Sequence, residues 1–450
     1  MRKETGAASP SPAQPSRMLT LPGLTLVAVG SCIGAGIFFT PSMIAGYLSS
    51  PLLILAAWGL GAVVSLTGAL TFAELGSMFT GAGGQYAYLR ETYGPVVGFL
   101  FGWITFTVVN AAAIASLSIV FARYFAYLFA LPFSSTTVIA LAAIASVCVV
   151  NVLRAKLSEI FAGFFTGLKL FGMGAVTVIG LTLGTHGKTL AWTAPNVSLV
   201  DPTLSPLAAF ALAFVGVWYS SGGWQHASYL AGEARNPART VPRAMVAGAL
   251  IVGTVYILIN LAYLSLMPIA DIAASQSVAA EAMSRAGPWG GTLIAATIAV
   301  STFGTVGICL FSAPRIFFAM AADGVFFKGL ARIHPRFKTP ARAILLQASW
   351  AAILLLFWGT FADIATYLVF ADTVFITITA FAVIRLRKTM PDRPRPYRTL
   401  AYPVTPLVFI LISGGFGLNL LINRPLHSLA SLGLAALGLL IYRCLASKNP

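Results

Sequence analysis

The sequence is poor in charge. Of its 450 residues only 9% are Asp, Glu, Lys or Arg, whereas an ordinary soluble domain carries about 25%. Hydrophobic residues make up 58% of the chain instead. This composition excludes a soluble globular protein, which needs a charged surface, and a disordered protein, which is poor in apolar residues.

Cysteine and histidine are also scarce, at four residues each. Cys32, Cys148, Cys309 and Cys444 all lie in apolar segments and show no metal-ligand spacing. A secreted disulfide scaffold is therefore excluded, and no metal or other cofactor is predicted. The scattered histidines form no catalytic group, so a membrane-embedded enzyme is the weaker alternative and no catalytic residue is predicted.

What the sequence does contain is a series of apolar runs, each long enough to cross a hydrocarbon core about 30 Å thick. Twelve spans are predicted, at 22–48, 51–79, 95–127, 134–154, 157–184, 205–231, 242–268, 289–320, 340–360, 362–388, 401–422 and 427–445. The predicted fold class is thus an all-α polytopic membrane protein embedded in a lipid bilayer. Residues 1–20 are rich in Pro, Ser and Ala without an apolar segment, which predicts a disordered cytoplasmic tail and not a signal peptide.

The net charge of +16 is distributed unevenly. Most of the 28 basic residues fall on one side of the predicted bilayer, and the other side receives Arg123, Lys188, Arg285 and Arg424. Because the basic side faces the cytoplasm, both termini are predicted to be cytoplasmic in a cell (inner or plasma) membrane. The charge therefore reports topology, and no nucleic-acid partner is predicted.

Two of the predicted spans are interrupted by small residues. Gly30, Gly34, Ala35 and Gly36 interrupt the first span, and the segment 220–223 interrupts the sixth. Close packing between helices is one explanation of such residues. The interruptions, however, occupy matching positions in two successive groups of five spans, and an odd number of spans inverts the second group. Paired broken helices in inverted repeats point to a transporter binding site.

The chemistry of such a site follows from the backbone. N–H groups left unpaired near Ala35, Gly36 and Ile37 suit a carboxylate. Carbonyl groups left unpaired near Tyr219 and Ser220 suit an ammonium. The predicted substrate-binding residues are Ile33, Gly34, Ala35, Gly36, Ile37, Tyr219, Ser220 and Gly222.

Charged residues inside predicted spans need a partner or a cavity. A charge at the bilayer centre costs roughly 2.5–3.5 kcal/mol on insertion scales, and Lys169 lies near the middle of the fifth span. Asp372, in the tenth span, is a second charge of this kind. Helix packing or a bond to a neighbouring helix explains it as well as a functional role does. Glu74 and Glu233 lie near helix ends among basic loops, where salt bridges are predicted for both.

Five segments together resemble the amino acid–polyamine–organocation (APC) superfamily, and within it bacterial relatives of the L-amino acid transporters. These segments are 30–41, 73–88, 222–237, 314–324 and 393–398. The resemblance implies a LeuT-like fold with helices 1 and 6 unwound at mid-membrane. Its first inverted repeat would span 21–186, the second 205–388, and two further helices 401–445.

The resemblance also implies residue roles. The triplet 34–36 matches the turn that binds the substrate carboxylate, although Ala35 stands where the family usually has serine. Tyr219 corresponds to an aromatic gate over the substrate. Lys169 corresponds to a lysine that replaces the sodium ion of related transporters, with Ser301 and Thr302 as its expected partners. The loop after the third span lacks the cysteine of heavy-chain-linked animal members, so no disulfide-linked heavy chain is expected.

The function predicted is sodium-independent secondary transport of neutral L-amino acids by alternating access, either as an exchanger or linked to protons. A cationic amino acid or polyamine permease remains the alternative, because Asp372 could receive a cationic group.

Overall fold

The computed structural model describes residues 17–185, 192, 196–357, 361–423 and 425–446, without the side chains of 361–368, 423, 427 and 446. Most of the predicted N-terminal tail, residues 1–16, lies outside this part of the chain. The described α-helices are α1 (Leu21–Cys32), α2 (Gly36–Tyr47), α3 (Pro51–Met78), α4 (Gln85–Tyr93), α5 (Pro95–Ile104), α6 (Asn110–Leu128), α7 (Thr136–Leu153), α8 (Ala155–Leu183), α9 (Pro206–Ser221), α10 (His226–Tyr229), α11 (Pro237–Leu266), α12 (Ile269–Ala274), α13 (Val278–Ala286), α14 (Gly290–Ser312), α15 (Pro314–Ala322), α16 (Ala341–Phe357), α17 (Phe361–Thr389), α18 (Val404–Asn423) and α19 (Pro425–Ala446).

Within the described residues, ten helical segments are long and apolar enough to cross a membrane, or eleven when the bent pair α1 and α2 is counted as one span. Helix α16 is apolar but shorter, at 17 residues. The chain is therefore an all-helical, multi-pass membrane protein. The twelfth predicted span stays a prediction, because α16 ends where the described residues are interrupted.

The surface of the bundle suits a bilayer. Large apolar side chains project outward from several helices, including Phe171 (73% exposed), Leu411 (71%) and Leu440 (59%). In water such a surface would be an aggregation liability. In hydrocarbon it carries no such cost, because lipid tails are as apolar as leucine.

One end of the bundle, here called the basic end, carries the connections at 79–84, 234–236, 323–340 and 390–403. The other end is called the opposite end. Just before α1 the chain pairs with the segment after α10 at the basic end. Leu19 N donates to Glu233 O at 2.9 Å, and Arg235 N donates to Leu19 O at 2.8 Å. These bonds form an isolated parallel β-bridge between Leu19 and Ala234.

The first helix is broken where the sequence predicts an interruption. Helices α1 and α2 meet at an angle of 43°, with residues 33–35 unwound between them. Around this break, α1 packs against α8, α11 and α14, so the unwound backbone lies inside the bundle and away from lipid. Irregular backbone at membrane depth is tolerated in this position because protein groups satisfy it.

The second break follows α9 at Ser221 and separates it from the short helix α10. Gly223 has a φ of +122°, which side-chain-bearing residues rarely adopt. A Cβ at Gly223 would also lie 2.7 Å from the carbonyl carbon of Ser31. Glycine is thus required there both for the turn and for the close approach of the two breaks.

Candidate functional site

The start of α2 presents backbone donors. Helix α2 begins at Gly36 directly after the unwound segment, and Ala35 at its N-cap supplies no side-chain hydrogen bond. The first N–H groups of a helix have no partner within that helix. The N-terminus of α2 therefore offers N–H groups and the positive end of a helix dipole at the break.

The two breaks touch each other. The Ser31 hydroxyl donates to Gly223 O at 2.7 Å, and the Gln225 side-chain oxygen accepts from Gly223 N at 3.0 Å. On the other side, a Cβ at Gly36 would lie 2.6 Å from the Ser220 hydroxyl oxygen. The two interruptions, far apart in sequence, thus form one structural unit.

Tyr256 of α11 joins the two breaks, a role that the sequence did not reveal. Its hydroxyl lies 3.0 Å from Cys32 O and 3.0 Å from Ser220 O. The buried phenol has one proton, which it can donate either to Ser220 O or to Cys32 O. A carbonyl oxygen has two lone pairs, so Ser220 O retains capacity for a second donor.

A cavity of about 160 Å³ opens at the junction of the breaks. Of the predicted substrate-binding residues, those on its wall are Gly34, Ala35, Gly36, Tyr219, Ser220 and Gly222. Ile33 and Ile37 are fully buried and do not line it. Their side chains pack into the apolar core around the break, whereas the predicted contact of Ile37 is made by its backbone N–H in the first turn of α2.

Lys169 is fully buried and contacts the first break. Its ammonium donates to Ile33 O at 2.7 Å, Gly30 O at 3.0 Å and the Thr305 hydroxyl at 2.8 Å. Three oxygen acceptors meet the three donors of the ammonium group. Lys169 thus ties α8 to the unwound end of α1 and to α14.

The predicted partners of Lys169 need one correction. Ser301 shares an acceptor with the lysine, since its hydroxyl donates to Ile33 O at 3.0 Å. The prediction that Thr302 contacts the lysine is wrong, because the Thr302 hydroxyl donates to Ile298 O of its own helix at 2.8 Å. The threonine that meets the ammonium is Thr305, one turn from Ser301 on the same helix face.

Several further polar side chains line the cavity. His226 Nδ1 lies 2.6 Å from the Ser312 hydroxyl. Asn110 is buried, and its side-chain nitrogen has no hydrogen-bond partner among the described residues. Asp372 of α17 also lies on the wall. The aromatic residue next to Tyr219, Trp218, is packed against Phe416 of α18 with ring centroids 4.9 Å apart.

A layer of polar contacts lies between the cavity and the basic end. Tyr229 lines the cavity, and its hydroxyl lies 3.4 Å from the Gln85 side-chain oxygen. The Gln85 nitrogen in turn donates to the Thr379 hydroxyl at 2.9 Å. Gly84 allows this packing: its φ is +46°, and a Cβ there would lie 2.5 Å from the Ser228 hydroxyl.

The salt bridges predicted for the two glutamates are confirmed. Glu233 pairs with Arg315 at 2.8 Å, and both side chains are buried. Glu74 accepts two hydrogen bonds from Arg387, at 2.9 and 2.7 Å. Each pair connects segments that are remote in sequence, so both help to hold the basic end together.

A third charged group at the basic end joins α4 to the segment after α15. Asp323 pairs with Arg90 and accepts from the Tyr86 hydroxyl at 2.8 Å. Burial is the main cause that raises the pKa of Tyr86 far above its ordinary value, and the negative charge of Asp323 is the second. The phenol therefore keeps its proton and remains a donor to Asp323.

The fold and this site define a class: a polytopic membrane protein with two broken helices around a buried cavity. Residues 19–438 match the family model described as amino acid permease. The chain belongs to the amino acid permease family of the APC superfamily.

Individual relatives cover most of the chain. The serine/threonine exchanger SteT of Bacillus subtilis is 33% identical over 399 residues, which are 87% of this chain and 88% of that protein. The b(0,+)-type amino acid transporter 1 of Homo sapiens is 31% identical over 407 residues, covering 90% and 82%. The large neutral amino acids transporter small subunit 2 of Homo sapiens is 29% identical over 393 residues, covering 85% and 72%. These names describe transporters and exchangers, which supports amino acid transport over enzymatic catalysis.

Proposed function

We propose that the protein transports neutral L-amino acids by alternating access and independently of sodium. The observation that carries this proposal is the cavity at the junction of two broken helices. One break supplies N–H donors and the other supplies carbonyl acceptors. A zwitterionic amino acid head needs these two groups, and the backbone offers them without a charged side chain.

Within this proposal the head of the substrate binds across both breaks. Its carboxylate accepts from the N–H groups at Ala35, Gly36 and Ile37, at the positive end of α2. Its ammonium donates to carbonyl groups near Tyr219 and Ser220. Tyr219, on the cavity wall beside the second break, closes over the bound substrate.

The proposed architecture is LeuT-like, with inverted repeats at 21–186 and 205–388, two further helices at 401–445, and twelve spans in total. The matching positions of the two breaks, one early in each repeat, support it. We assign the basic end to the cytoplasm, because positive loops remain inside. Both termini are then cytoplasmic, and the location is the cell membrane.

In the proposed mechanism, Lys169 replaces a coupling cation. Its ammonium already donates to the carbonyl oxygens of the first break, and a second cation beside it would meet repulsion. Exchange of one amino acid for another is the favoured mode, with proton-linked uptake as the alternative. No disulfide-linked heavy chain is proposed, since the connection at 129–135 after the third span contains no cysteine.

Uptake of radiolabelled amino acids into proteoliposomes tests this function. We expect neutral L-amino acids to accumulate equally in sodium, potassium and choline buffers when the vesicles are preloaded with amino acid. Empty liposomes are the negative control, and liposomes with Lys169→Ala test the role of the ammonium. A saturable requirement for sodium would contradict the role of Lys169, and uptake of no amino acid would overturn the function itself.

A further inference from the structure

One face of α17 is directed at the cavity. Val369, Asp372 and Ile376 all lie on the cavity wall, and their spacing of three and four residues places them on the same side of a helix. Thr379, one further turn along this face, joins the polar layer at the basic end through Gln85. The rotational position of α17 is therefore fixed, and it presents the Asp372 carboxylate to the substrate space.

Asp372 has no counter-ion among the described residues. No nitrogen of a described Lys, Arg or His lies within 4.0 Å of its carboxylate. The ammonium of Lys169 is held by other groups, namely Gly30 O, Ile33 O and the Thr305 hydroxyl. Asp372 is also the one Asp, Glu, Lys or Arg on the described wall of this cavity.

An unpaired carboxylate inside a membrane protein is costly, and such residues mark the path of a substrate or an ion. Packing alone does not account for Asp372, because its neighbours on the same face, Val369 and Ile376, are apolar and offer no hydrogen-bond donor from their side chains. A ligand that carries a positive charge into the cavity would supply the missing partner.

The backbone groups of the two breaks already provide for both charges of the amino acid head, as the proposed function requires. Asp372 belongs to a different helix, α17, and adds a third recognition group on the wall. A carboxylate in this position matches a substrate that carries an additional positive charge on its side chain. We infer that Asp372 is the side-chain recognition residue of this transporter and that it admits L-amino acids with a cationic side chain alongside neutral ones.

This inference rests on the proposed function and extends its substrate range. The side-chain ammonium or guanidinium of the substrate donates to the Asp372 carboxylate in a charge-assisted hydrogen bond. Neutral amino acids leave that carboxylate to the water of the cavity and rely on the head contacts. Loss of the charge should therefore separate the two classes of substrate.

The test is counterflow in proteoliposomes with alanine, leucine, ornithine and lysine, using wild type and Asp372→Asn. The asparagine keeps the size of the side chain and removes its charge. We expect at least a tenfold loss of apparent affinity for ornithine and lysine, equivalent to about 1.4 kcal/mol, with alanine and leucine little changed. Asp372→Glu, which keeps the charge, should retain measurable ornithine transport.

Asp392→Asn is the matched control, because Asp392 is exposed in the connection at 390–403 and lies outside the cavity. Ligand-induced thermal shifts in detergent report binding separately from transport, so a poorly transporting variant is still informative. Retention of the alanine shift in Asp372→Asn shows that the site has folded.

The possible results separate the two proposals. Wild-type transport of neutral substrates alone would overturn the role of Asp372 and leave the proposed function standing. An equal loss of both substrate classes in Asp372→Asn, or no loss of either, would also overturn it. Failure of wild type to bind or move any amino acid would overturn the proposed function.

Discussion

At the scale of single residues, two threonines of α14 show how chemistry depends on position. Thr302 and Thr305 are both buried, and both carry a hydroxyl. The Thr302 hydroxyl satisfies a carbonyl of its own helix, whereas the Thr305 hydroxyl accepts from the Lys169 ammonium at 2.8 Å. Only the second hydroxyl therefore contributes to keeping a buried charge satisfied.

Replacement of each threonine by valine tests this difference, since valine preserves the shape and removes the hydroxyl. We expect Thr305→Val to destabilise the protein by about 1.5–3 kcal/mol, the usual contribution of a hydrogen bond to a charged group, and to slow amino acid uptake. Thr302→Val is the control and should remain close to wild type. The measurements are thermal unfolding in detergent and proteoliposome uptake, and equal effects of the two variants would contradict the assignment.

At the scale of helical elements, glycine sets the distance between the two broken helices. Gly36 begins α2 opposite Ser220 of α9, and a Cβ at Gly36 would lie 3.1 Å from the Ser220 Cα. That neighbour is backbone and cannot rotate away. Any side chain at Gly36 must therefore push α2 and α9 apart.

We expect Gly36→Ala to cost about 1–3 kcal/mol from overpacking and to abolish the thermal shift caused by substrate, because the donors at the start of α2 move. Gly59→Ala is the matched control: it adds the same methyl group to α3, where nothing lies within 4 Å of the new carbon. The protein should still insert into the membrane in both cases. An unchanged substrate-induced shift in Gly36→Ala would refute the role of this turn.

The elements also show what the sequence reveals and what it conceals. Both breaks were predictable, since glycines such as Gly34, Gly36 and Gly223 interrupt the apolar spans at these points. So was the need of Lys169 for partners, because a charge inside an apolar span is costly. Thr305 and Tyr256 escaped prediction because their roles depend on how α14 and α11 are rotated toward α1. Apolar helices that are buried on several sides give no periodicity that fixes this rotation.

At the scale of the whole molecule, buried ion pairs join segments of the basic end that are remote in sequence. Glu233 and Arg315 are both almost inaccessible and connect the segment after α10 to α15. Removal of one partner from such a pair costs about 3–5 kcal/mol, because the other charge stays buried and unpaired. A pair in this position can hold the cavity shut toward the basic end.

We therefore expect Glu233→Gln to lower the thermal stability and to open the cavity toward the basic end. Asp271→Asn is the control, since it removes a carboxylate from a half-exposed pair with Arg285 at the opposite end. Exposed pairs contribute about 0–1 kcal/mol, so this variant should behave like wild type.

Cavity opening can be measured through natural thiols. Cys32 and Cys309 line the cavity and are buried, so their labelling by a membrane-impermeant thiol reagent reports access. The measurement uses a Cys444→Ser background, because Cys444 is exposed. Faster labelling from the basic end in Glu233→Gln supports the closure, and labelling at the wild-type rate would contradict it.

The short β-bridge between Leu19 and Ala234 has a mechanical consequence. Two backbone hydrogen bonds clamp the chain ahead of the first broken helix to the chain behind the second. The segments of both broken helices at the basic end are thereby joined, so a displacement of one would be passed to the other through these two bonds. A force applied to the residues that precede Leu19 would be transmitted through this clamp to both segments at once. Residues 17–20 are thus coupled to two helices, α1 and α10, that both contribute to the wall of the cavity.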